Sequence, residues 1–351
     1  MADVQKQFEE FHNTIKQKRF KDEQVLRDKR DIIRRQLEER LPAVFEKYGE
    51  EAPEWSWRDQ GSYEMGTGVK PLAGDFDIDQ GLYFSVGPTE YDPVTLKKRV
   101  HEALYGHTDD VEVRRPCVTV WYHKEGERVY HVDIAVYSEA AANGSGDDLL
   151  AVGRLASSDE NKAWEVSNPQ ELSDKIFDRF EGEDRAQFRR AVRDLKRWRD
   201  ERFPSKGNAA PNGIGLTVAA YHWLSPTYVD EFANGKDKPD DLGALLGLVR
   251  QMLDRFGQVY HDGTWARRLV VELPTRPYSD LFNAKTNAQM ETFEEKLEAL
   301  RDALKYARDE VDPSDACARL RKVFGDDFPV PEKTATAKRV GPSIASSSNA
   351  A

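Results

Sequence analysis

The chain has 351 residues, with 52 Lys or Arg against 63 Asp or Glu, which gives a formal net charge of −11. Hydrophobic residues make up 39% and charged residues 33%, a balance typical of a globular protein with a highly charged surface. The acidic balance argues against a general nucleic-acid binder, because non-specific affinity for nucleic acids comes from a basic surface. No apolar run reaches the roughly 20 residues that span a bilayer, and the first residues carry no apolar secretion signal. We therefore expect a cytoplasmic protein without a membrane segment.

Residues 3–48 are dense in charged side chains and contain no Gly or Pro before Pro42. Their apolar residues recur at roughly helical spacing, which predicts one long helix or two with a narrow apolar stripe. A coiled coil would also give a charged helix. The stripe is too irregular for sustained heptads, so we favour a brace that packs along a domain.

Short β-type runs and turn signals alternate over residues 57–137, with a helix from Pro93 to about Leu104. The predicted strands are 75–85, 115–123 and 128–137. Residues 139–150 are predicted to form a loop. Residues 169–328 are mainly helical, with predicted helices at 169–180, 184–202, 215–224, 242–255 and 287–310. Residues 329–351 lack aromatic residues and end in small polar ones, which indicates a disordered tail.

This pattern predicts an α+β fold with four parts. They are an N-terminal helix (1–50), an α/β lobe (51–168), a helical lobe (169–328) and the tail (329–351). A cleft between two lobes is a common place for a small-molecule site. The two cysteines, Cys117 and Cys317, belong to no CxxC pair, so we expect neither a zinc site nor a disulfide framework.

The most informative stretch is the run of alternating acids in Gly74-Asp75-Phe76-Asp77-Ile78-Asp79. On a strand, the apolar residues would share one face and the acids the other. By itself the run is also compatible with a solvated edge strand. Clustered carboxylates repel and need a counter-charge, and all-oxygen ligands favour Mg²⁺ or Mn²⁺.

A third carboxylate, Asp133, occupies the same kind of position in His131-Val132-Asp133-Ile134. Two such strands side by side would place three carboxylates around two metal ions, which suits in-line attack of a hydroxyl on a phosphate. Upstream, Gly61-Ser62 predicts a small-residue turn at a helix start, where backbone N–H groups and the Ser62 hydroxyl can hold phosphate. Alone, such a pair is usually only a turn.

The order of these elements resembles the polymerase-β-like nucleotidyltransferases: Gly-Ser, about a dozen residues, a DxD strand and a distant Asp on a second strand. The segments QGSYEMGT, DIDQGLYF and HVDIAVY look more specifically like the cGAS/DncV-like nucleotidyltransferases, the cyclic-oligonucleotide synthases of bacterial antiphage defence known as CBASS. The resemblance runs from about residue 55 to 328. It implies a mixed sheet with helices as the core, and a mainly helical second lobe.

The resemblance also implies roles for individual residues. Asp77 and Asp79 match the DxD metal ligands, ahead of Asp75, and Asp133 matches the third acid, which helps deprotonate the attacking ribose hydroxyl. Gln60, Gly61 and Ser62 match contacts to the donor nucleotide. The helix containing Leu195-Lys196-Arg197-Trp198 resembles the family's LKxW helix, in which the lysine contacts the triphosphate.

Further assignments follow from position alone. The hydroxyl that usually follows the lysine helix is displaced here, which leaves Thr217 as the candidate. Asp280 would read a base edge. Arg115 and Thr119 would contact the acceptor nucleotide. Tyr63, Tyr83 and Tyr137 could stack on bases, although aromatic residues more often belong to the core.

The resemblance implies a cyclic dinucleotide synthase that uses ATP and GTP or other ribonucleoside triphosphates with Mg²⁺ or Mn²⁺, with cyclic GMP-AMP as the preferred product. The alternatives are a cyclic trinucleotide synthase, a non-cyclising transferase that makes linear oligonucleotides or modifies a macromolecule, and an inert nucleotide-binding scaffold. The three acids and the Gly-Ser turn argue against the scaffold.

Expected partners also follow from the resemblance. The chain has no Cys/His thumb with zinc spacing, so activation by double-stranded DNA is not implied. The cyclic product would act on a separate effector. A flexible tail ending Asn349-Ala350-Ala351 is compatible with conjugation by an E1/E2-like enzyme.

Overall fold

The computed structural model describes residues 2–16, 22–72, 76–204, 207–231 and 236–333, with the side chains of 22–26, 231 and 236 left aside. The predicted tail beyond 333, and Asp75, lie outside these residues. The described helices are α1 Gln5–Ile15, α2 Asp22–Glu46, α3 Gly61–Glu64, α4 Pro93–Leu104, α5 Ala140–Asn143, α6 Pro169–Asp178, α7 Gly182–Arg202, α8 Gly213–Trp223, α9 Asp241–Leu253, α10 Asn287–Asp309 and α11 Pro313–Phe324. The described strands are β1 Trp55–Asp59, β2 Phe76–Phe84, β3 Val111–Val113, β4 Val118–Lys124, β5 Glu127–Ser138, β6 Leu149–Val152, β7 Ala163–Val166, β8 Tyr228–Glu231, β9 Lys236–Pro239, β10 Gly257–His261 and β11 Thr264–Arg268.

Within the described chain, seven strands form one mixed sheet whose main path is β1-β2-β5-β4-β3, with β6 and β7 continuing from β5. The central pair β2 and β5 is parallel, and the other described pairs of this sheet are antiparallel. A parallel pair needs a crossover, and here the crossover includes α4 and the β3–β4 hairpin. The predicted α+β class with a mixed sheet is confirmed.

Buried apolar side chains form two separate clusters. The sheet core lies where α2 and α4 cover the apolar face of the sheet. Its central residues are Ile33, Leu37, Leu41, Phe45, Ile78, Leu82, Val100, Val120, Val132 and Ile134. The helical core is built mainly from α1 and α7–α11, and includes Phe8, Phe11, Phe188, Trp198, Leu245, Phe293, Leu300 and Phe324.

The two N-terminal helices divide between these cores. Alpha-helix α1 buries Phe8 and Phe11 in the helical core, whereas α2 buries Ile33 and Leu37 in the sheet core. The sequence predicted one brace helix or two along a single core, so the crossing from one core to the other is new information. In the described part of the chain, no helix is both long and apolar enough to cross a membrane.

Candidate active site

The three predicted carboxylates lie on one face of the sheet. Strands β2 and β5 run parallel in a register that sets Asp79 opposite Asp133 and Asp77 opposite His131. Because side chains alternate along a strand, these four residues project away from the sheet core, while Ile78 and Val132 point into it. The sheet therefore presents a row of acids with one imidazole among them.

A threonine on the next strand fixes Asp133. Thr119 on β4 lies opposite Asp133 in the antiparallel register, and its hydroxyl donates to Asp133 Oδ1 over 2.5 Å. Thr119 is fully buried and so can adopt few rotamers. The sequence suggested an acceptor-nucleotide contact for Thr119, whereas its hydroxyl is engaged with the third acid.

The electrostatics of the row are unfavourable without a cation. Asp77 is exposed at its surface and Asp79 is partly exposed. Protein atoms nevertheless surround both carboxylates on most sides, so both lose much of their hydration. The resulting loss of hydration, together with the Asp77 and Asp133 charges, raises the pKa of Asp79 to about 7. Loss of hydration also raises the pKa of Asp77, against the opposing charges of His131 and Lys196.

His131 is a member of the site that the sequence analysis did not single out. Its Nε2 lies 3.9 Å from Asp133 Oδ2, and its ring packs on Trp121 with centroids 4.5 Å apart. His131 lies two residues before Asp133 on β5, so the two side chains lie on the same face of the strand. The alternation that identified Asp133 therefore also pointed to His131.

The Gly61-Ser62 pair opens the single-turn helix α3, directly above β2. Gly61 has φ +71°, and a Cβ at this position would collide with the Asp79 carboxylate. Only glycine meets both constraints without strain. Ser62 is partly exposed, and its hydroxyl has no hydrogen-bond partner among the described residues. The turn therefore holds a hydroxyl next to the carboxylates.

Lys196 reaches the site from the helical core. It is 7% exposed, and its Nζ donates to the carbonyl and the hydroxyl of Thr67, each over 3.2 Å. Burial and the neighbouring Arg199 charge lower the pKa of Lys196 to about 7, while Asp77 opposes that change. The ammonium is thus electrostatically linked to the acids.

Gln60 points away from the cleft in this conformation. Its Nε2 donates to the Tyr83 hydroxyl over 2.7 Å, and its side chain covers Gly81. Tyr83 and Tyr137 are buried and stack on each other with centroids 4.5 Å apart. Arg58 covers the outer face of Tyr83. These two rings are packed in the protein interior, and Tyr63 is bound by Arg27 through its hydroxyl.

Three other predicted residues are engaged outside the acid row. Thr217 is fully buried in α8, and its hydroxyl donates to the Gly213 carbonyl. Asp280 Oδ1 accepts the backbone N–H groups of Val271 and Phe282, so its carboxylate stabilises a loop. The Arg115 side chain is exposed and pairs with Glu165. None of these contacts of Thr217, Asp280 and Arg115 involves Asp77, Asp79 or Asp133, whereas Lys196 is electrostatically linked to Asp77.

The donor chemistry of the row fits a divalent cation. Asp77, Asp79 and Asp133 offer only oxygen atoms, the ligands that Mg²⁺ prefers, and a cation would offset the burial and the neighbouring carboxylate charges that raise the pKa of Asp79. Across the residues that the structure describes, no three His, Cys, Asp or Glu side chains are gathered as a ready-made ligand set. The three carboxylates fit a divalent metal ion in donor type and charge, although they are not already arranged as a ligand set.

Comparison with known proteins identifies the domain that contains these features. Residues 56–137 match the family described as "Cyclic GMP-AMP synthase DncV-like, nucleotidyltransferase domain". The matched segment runs from β1 to β5 and lacks only the first residue of β1 and the last residue of β5, so it contains the Gly61-Ser62 turn and all three carboxylates.

Solved structures match over most of the chain. The structure of Vibrio cholerae DncV cyclic AMP-GMP synthase, described as a prokaryotic cGAS homolog, is 20% identical, with a TM-score of 0.59 over 78% of this chain and 70% of that one. Escherichia coli DncV in its 3′-deoxy GTP bound form is 21% identical, with a TM-score of 0.58 over 78% and 70%. Vibrio cholerae DncV with the linear intermediate 5′ pppA(3′,5′)pG is 20% identical, with a TM-score of 0.57 over 78% and 69%.

The domain match and the fold define a nucleotidyltransferase. Within that class, residues 56–137 are a DncV-like nucleotidyltransferase domain. The likeness to solved structures, at about one residue in five identical, extends the fold to the helical part.

Proposed function

We propose that this protein is a cyclic dinucleotide synthase that joins two ribonucleoside triphosphates, with cyclic GMP-AMP as the preferred product. The observation that carries the proposal is the register of β2 and β5, which sets Asp79 beside Asp133 on the face that Lys196 approaches. The likeness to DncV structures bound to GTP and to a linear pppA(3′,5′)pG intermediate supports triphosphates as substrates.

In this proposal Asp77, Asp79 and Asp133 hold Mg²⁺ or Mn²⁺. The ion would neutralise phosphate charge and lower the pKa of the attacking hydroxyl when bound. Asp133, held by Thr119, accepts the proton from the ribose hydroxyl. The hydroxyl oxygen bonds to the α-phosphorus of the second nucleotide, and pyrophosphate leaves. A second transfer within the linear product closes the ring.

The triphosphate would be held by the groups opposite the acids. The Ser62 hydroxyl is available for a terminal phosphate oxygen, and Gly61 permits close approach of the backbone. The Lys196 ammonium would exchange its Thr67 contacts for phosphate oxygens. Gln60 contacts the donor nucleotide only after leaving Tyr83. The Thr217 hydroxyl and Asp280 Oδ1 are engaged within α8 and the 271–282 loop, so the nucleotide contacts predicted for these two residues remain predictions.

The test is product analysis by mass spectrometry after incubation with the four ribonucleoside triphosphates, Mg²⁺ or Mn²⁺, and then phosphatase. We expect a phosphatase-resistant product with the mass of two cyclised nucleotides. The Asp77→Asn/Asp79→Asn double variant should give none. Asp230→Asn/Asp237→Asn is a matched control, because these exposed acids face each other on the β8–β9 hairpin and the charge change is the same.

Other products would change the proposal in defined ways. A resistant product of three nucleotides would indicate a cyclic trinucleotide synthase. Phosphatase-sensitive products would indicate a linear transferase, and label on a macromolecule would indicate a modifying enzyme. Triphosphate binding without turnover, lost in the double variant, would indicate a required activator.

We also propose that the cyclic product is a cytoplasmic second messenger of antiphage defence, made without a DNA activator and read by a separate effector. An E1/E2-like enzyme would act on the C-terminal tail. Plaque counts in cells that carry the gene with its neighbours test the first point, because the double variant should lose protection. Truncation of residues 349–351 tests the second.

A further inference from the structure

The segment 66–70 connects the Ser62 turn to the strand that carries Asp77 and Asp79. The amides of Met65, Gly66 and Thr67 donate back to the carbonyls of Gly61, Tyr63 and Ser62, over 3.2, 3.1 and 2.9 Å respectively. These bonds close the turn into a compact unit. The position of segment 66–70 therefore sets the position of the Ser62 hydroxyl relative to the acids.

One face of α7 holds this segment through its carbonyls. Arg193 Nη2 donates to the Gly66 carbonyl, Lys196 to Thr67, and Arg197 Nη2 to the Lys70 carbonyl over 2.9 Å. Residues 193, 196 and 197 lie at spacings of three and four, so they share one helix face. The Arg189 guanidinium on the same face lies against Gly66.

The first helix reinforces the same segment from the other side. The Lys70 amide donates to the Ile15 carbonyl at the end of α1 over 2.8 Å, and Lys16 pairs with Val69 in a β-bridge. His12 of α1 lies 3.1 Å from Arg193 Nη1 through its Nε2. Because a guanidinium only donates, His12 must be neutral and accept. Burial and the arginine charges lower the pKa of His12 to about 3, which keeps it neutral.

We propose that Arg193, oriented by His12, is a positioning residue for the nucleotidyl transfer: it anchors the Gly66 carbonyl and so fixes the Ser62 turn above the carboxylates. The inference rests on the proposed function for the identity of the bound triphosphate, and on contacts alone for the anchoring. It differs from the role proposed for Lys196, because Arg193 would act through the Gly66 carbonyl rather than by binding phosphate.

Arg193→Gln should raise KM for the triphosphate about tenfold or more, with a smaller change in kcat, because a charge-assisted bond that orients the turn is lost. Arg190→Gln is the matched control. Arg190 lies on the same helix and is similarly buried, but its guanidinium binds Asp241 and Glu183 in the helical core. The KM of Arg190→Gln should stay within about twofold of the wild-type value, even if its melting temperature falls as much as that of Arg193→Gln.

Two further variants separate positioning from general destabilisation. Arg193→Lys keeps a donor for Gly66 and should recover part of the KM. His12→Ala removes only the orienting acceptor and should show an effect of the same sign that is not additive with Arg193→Gln. Equal KM values for Arg193→Gln and Arg190→Gln would overturn the proposal.

Amide hydrogen exchange tests the contact between Arg193 and the Gly66 carbonyl independently of catalysis. In Arg193→Gln, exchange at residues 65–67 should accelerate at least about tenfold, whereas Arg190→Gln should leave it unchanged. Faster exchange together with a wild-type protein that neither binds triphosphates nor makes a nucleotide product would retain the anchor and reject the proposed function. Unchanged exchange at residues 65–67 would reject the anchor whatever the activity.

Discussion

Gly61 lies so close to Asp79 that a Cβ at position 61 would displace the Asp79 carboxylate. The same residue has φ +71°, which costs a non-glycine residue about 1–2 kcal/mol. Gly61→Ala should therefore lower both stability and activity. Gly106→Ala separates the two effects, because Gly106 has φ +76° with nothing within 4 Å of its Cβ position.

We expect similar losses in free energy of unfolding for both variants, measured by urea titration, but a fall in kcat/KM of about tenfold or more only for Gly61→Ala. Equal activity of the two variants would show that the Asp79 carboxylate can move aside without consequence.

The raised pKa of Asp79 predicts a pH-dependent stability. Its folded pKa of about 7 lies above the ordinary value of 3.8, so the folded state binds the extra proton between these values. Protonation of Asp79 therefore makes a favourable contribution to the free energy of unfolding. This contribution is fully present below pH 3.8 and is lost as the pH rises through about 7. In EDTA, Asp79→Asn should therefore be more stable than wild type at pH 8, by about 2–4 °C in Tm, and closer to it at pH 5.

Added Mg²⁺ should raise the Tm of the wild type at pH 8 more than that of Asp79→Asn, because the ion supplies the missing counter-charge. Parallel Tm curves for the two proteins across pH, measured by calorimetry, would contradict the electrostatic account of the acid row.

The Thr119 hydroxyl predicts a catalytic effect from a buried residue. Thr119→Val preserves shape but removes the donor to Asp133 Oδ1, which leaves the proton acceptor free to rotate. We expect kcat to fall about tenfold with KM within about twofold, measured by pyrophosphate release. Thr119→Ser keeps the donor and should retain most of the activity. Equal kcat values for the Val and Ser variants would exclude a role for this bond.

Lys196 predicts proton uptake on substrate binding. With a folded pKa of about 7, it is mostly neutral at pH 8 and would be protonated when phosphate oxygens replace its Thr67 contacts. Titration calorimetry in buffers of different ionisation enthalpy, with saturating Mg²⁺, should show close to one proton taken up per triphosphate. Lys196→Met should lose the uptake and weaken Kd about tenfold or more.

Lys196→Arg is the control for this measurement, because arginine is already charged at pH 8. It should lose the uptake while it retains more affinity than the Met variant. Undiminished uptake in both variants would assign the proton to another group.

Local alternation explains which parts of the site the sequence predicted. The strand period is set by neighbours two residues apart, so the shared face of Asp77 and Asp79 and the position of Asp133 on its own strand followed from the sequence. The parallel register that brings these strands together is long-range, but a one-residue slip would turn an apolar set to the acid face, which restricts the possible alignments. Helix bounds were predicted well for the same reason, as at α4 and α7.

Contacts between distant segments were not predictable in this way. The direction of Gln60 depends on Tyr83, and the hydroxyl of Thr217 and the carboxylate of Asp280 are taken by partners that no local pattern specifies. The short hairpin β10–β11 was also missed, because brief elements carry a weak periodic signal. Helix α11 was missed as well, although it is as long as α4.

The aromatic contacts of α1 have a consequence for how the protein is made. Phe8 and Phe11 pack on Phe328 with ring centroids 5.2 and 4.9 Å apart, and both also contact Phe324. On the ribosome, α1 is synthesised before the other described elements, yet its aromatic partners are among the last described residues to be synthesised. The sheet core has all of its α2 and β5 contacts available much earlier. The carboxylate row should thus be assembled before α1 docks, and the Ser62 turn should gain its full set of anchors only after Phe324 and Phe328 have been synthesised.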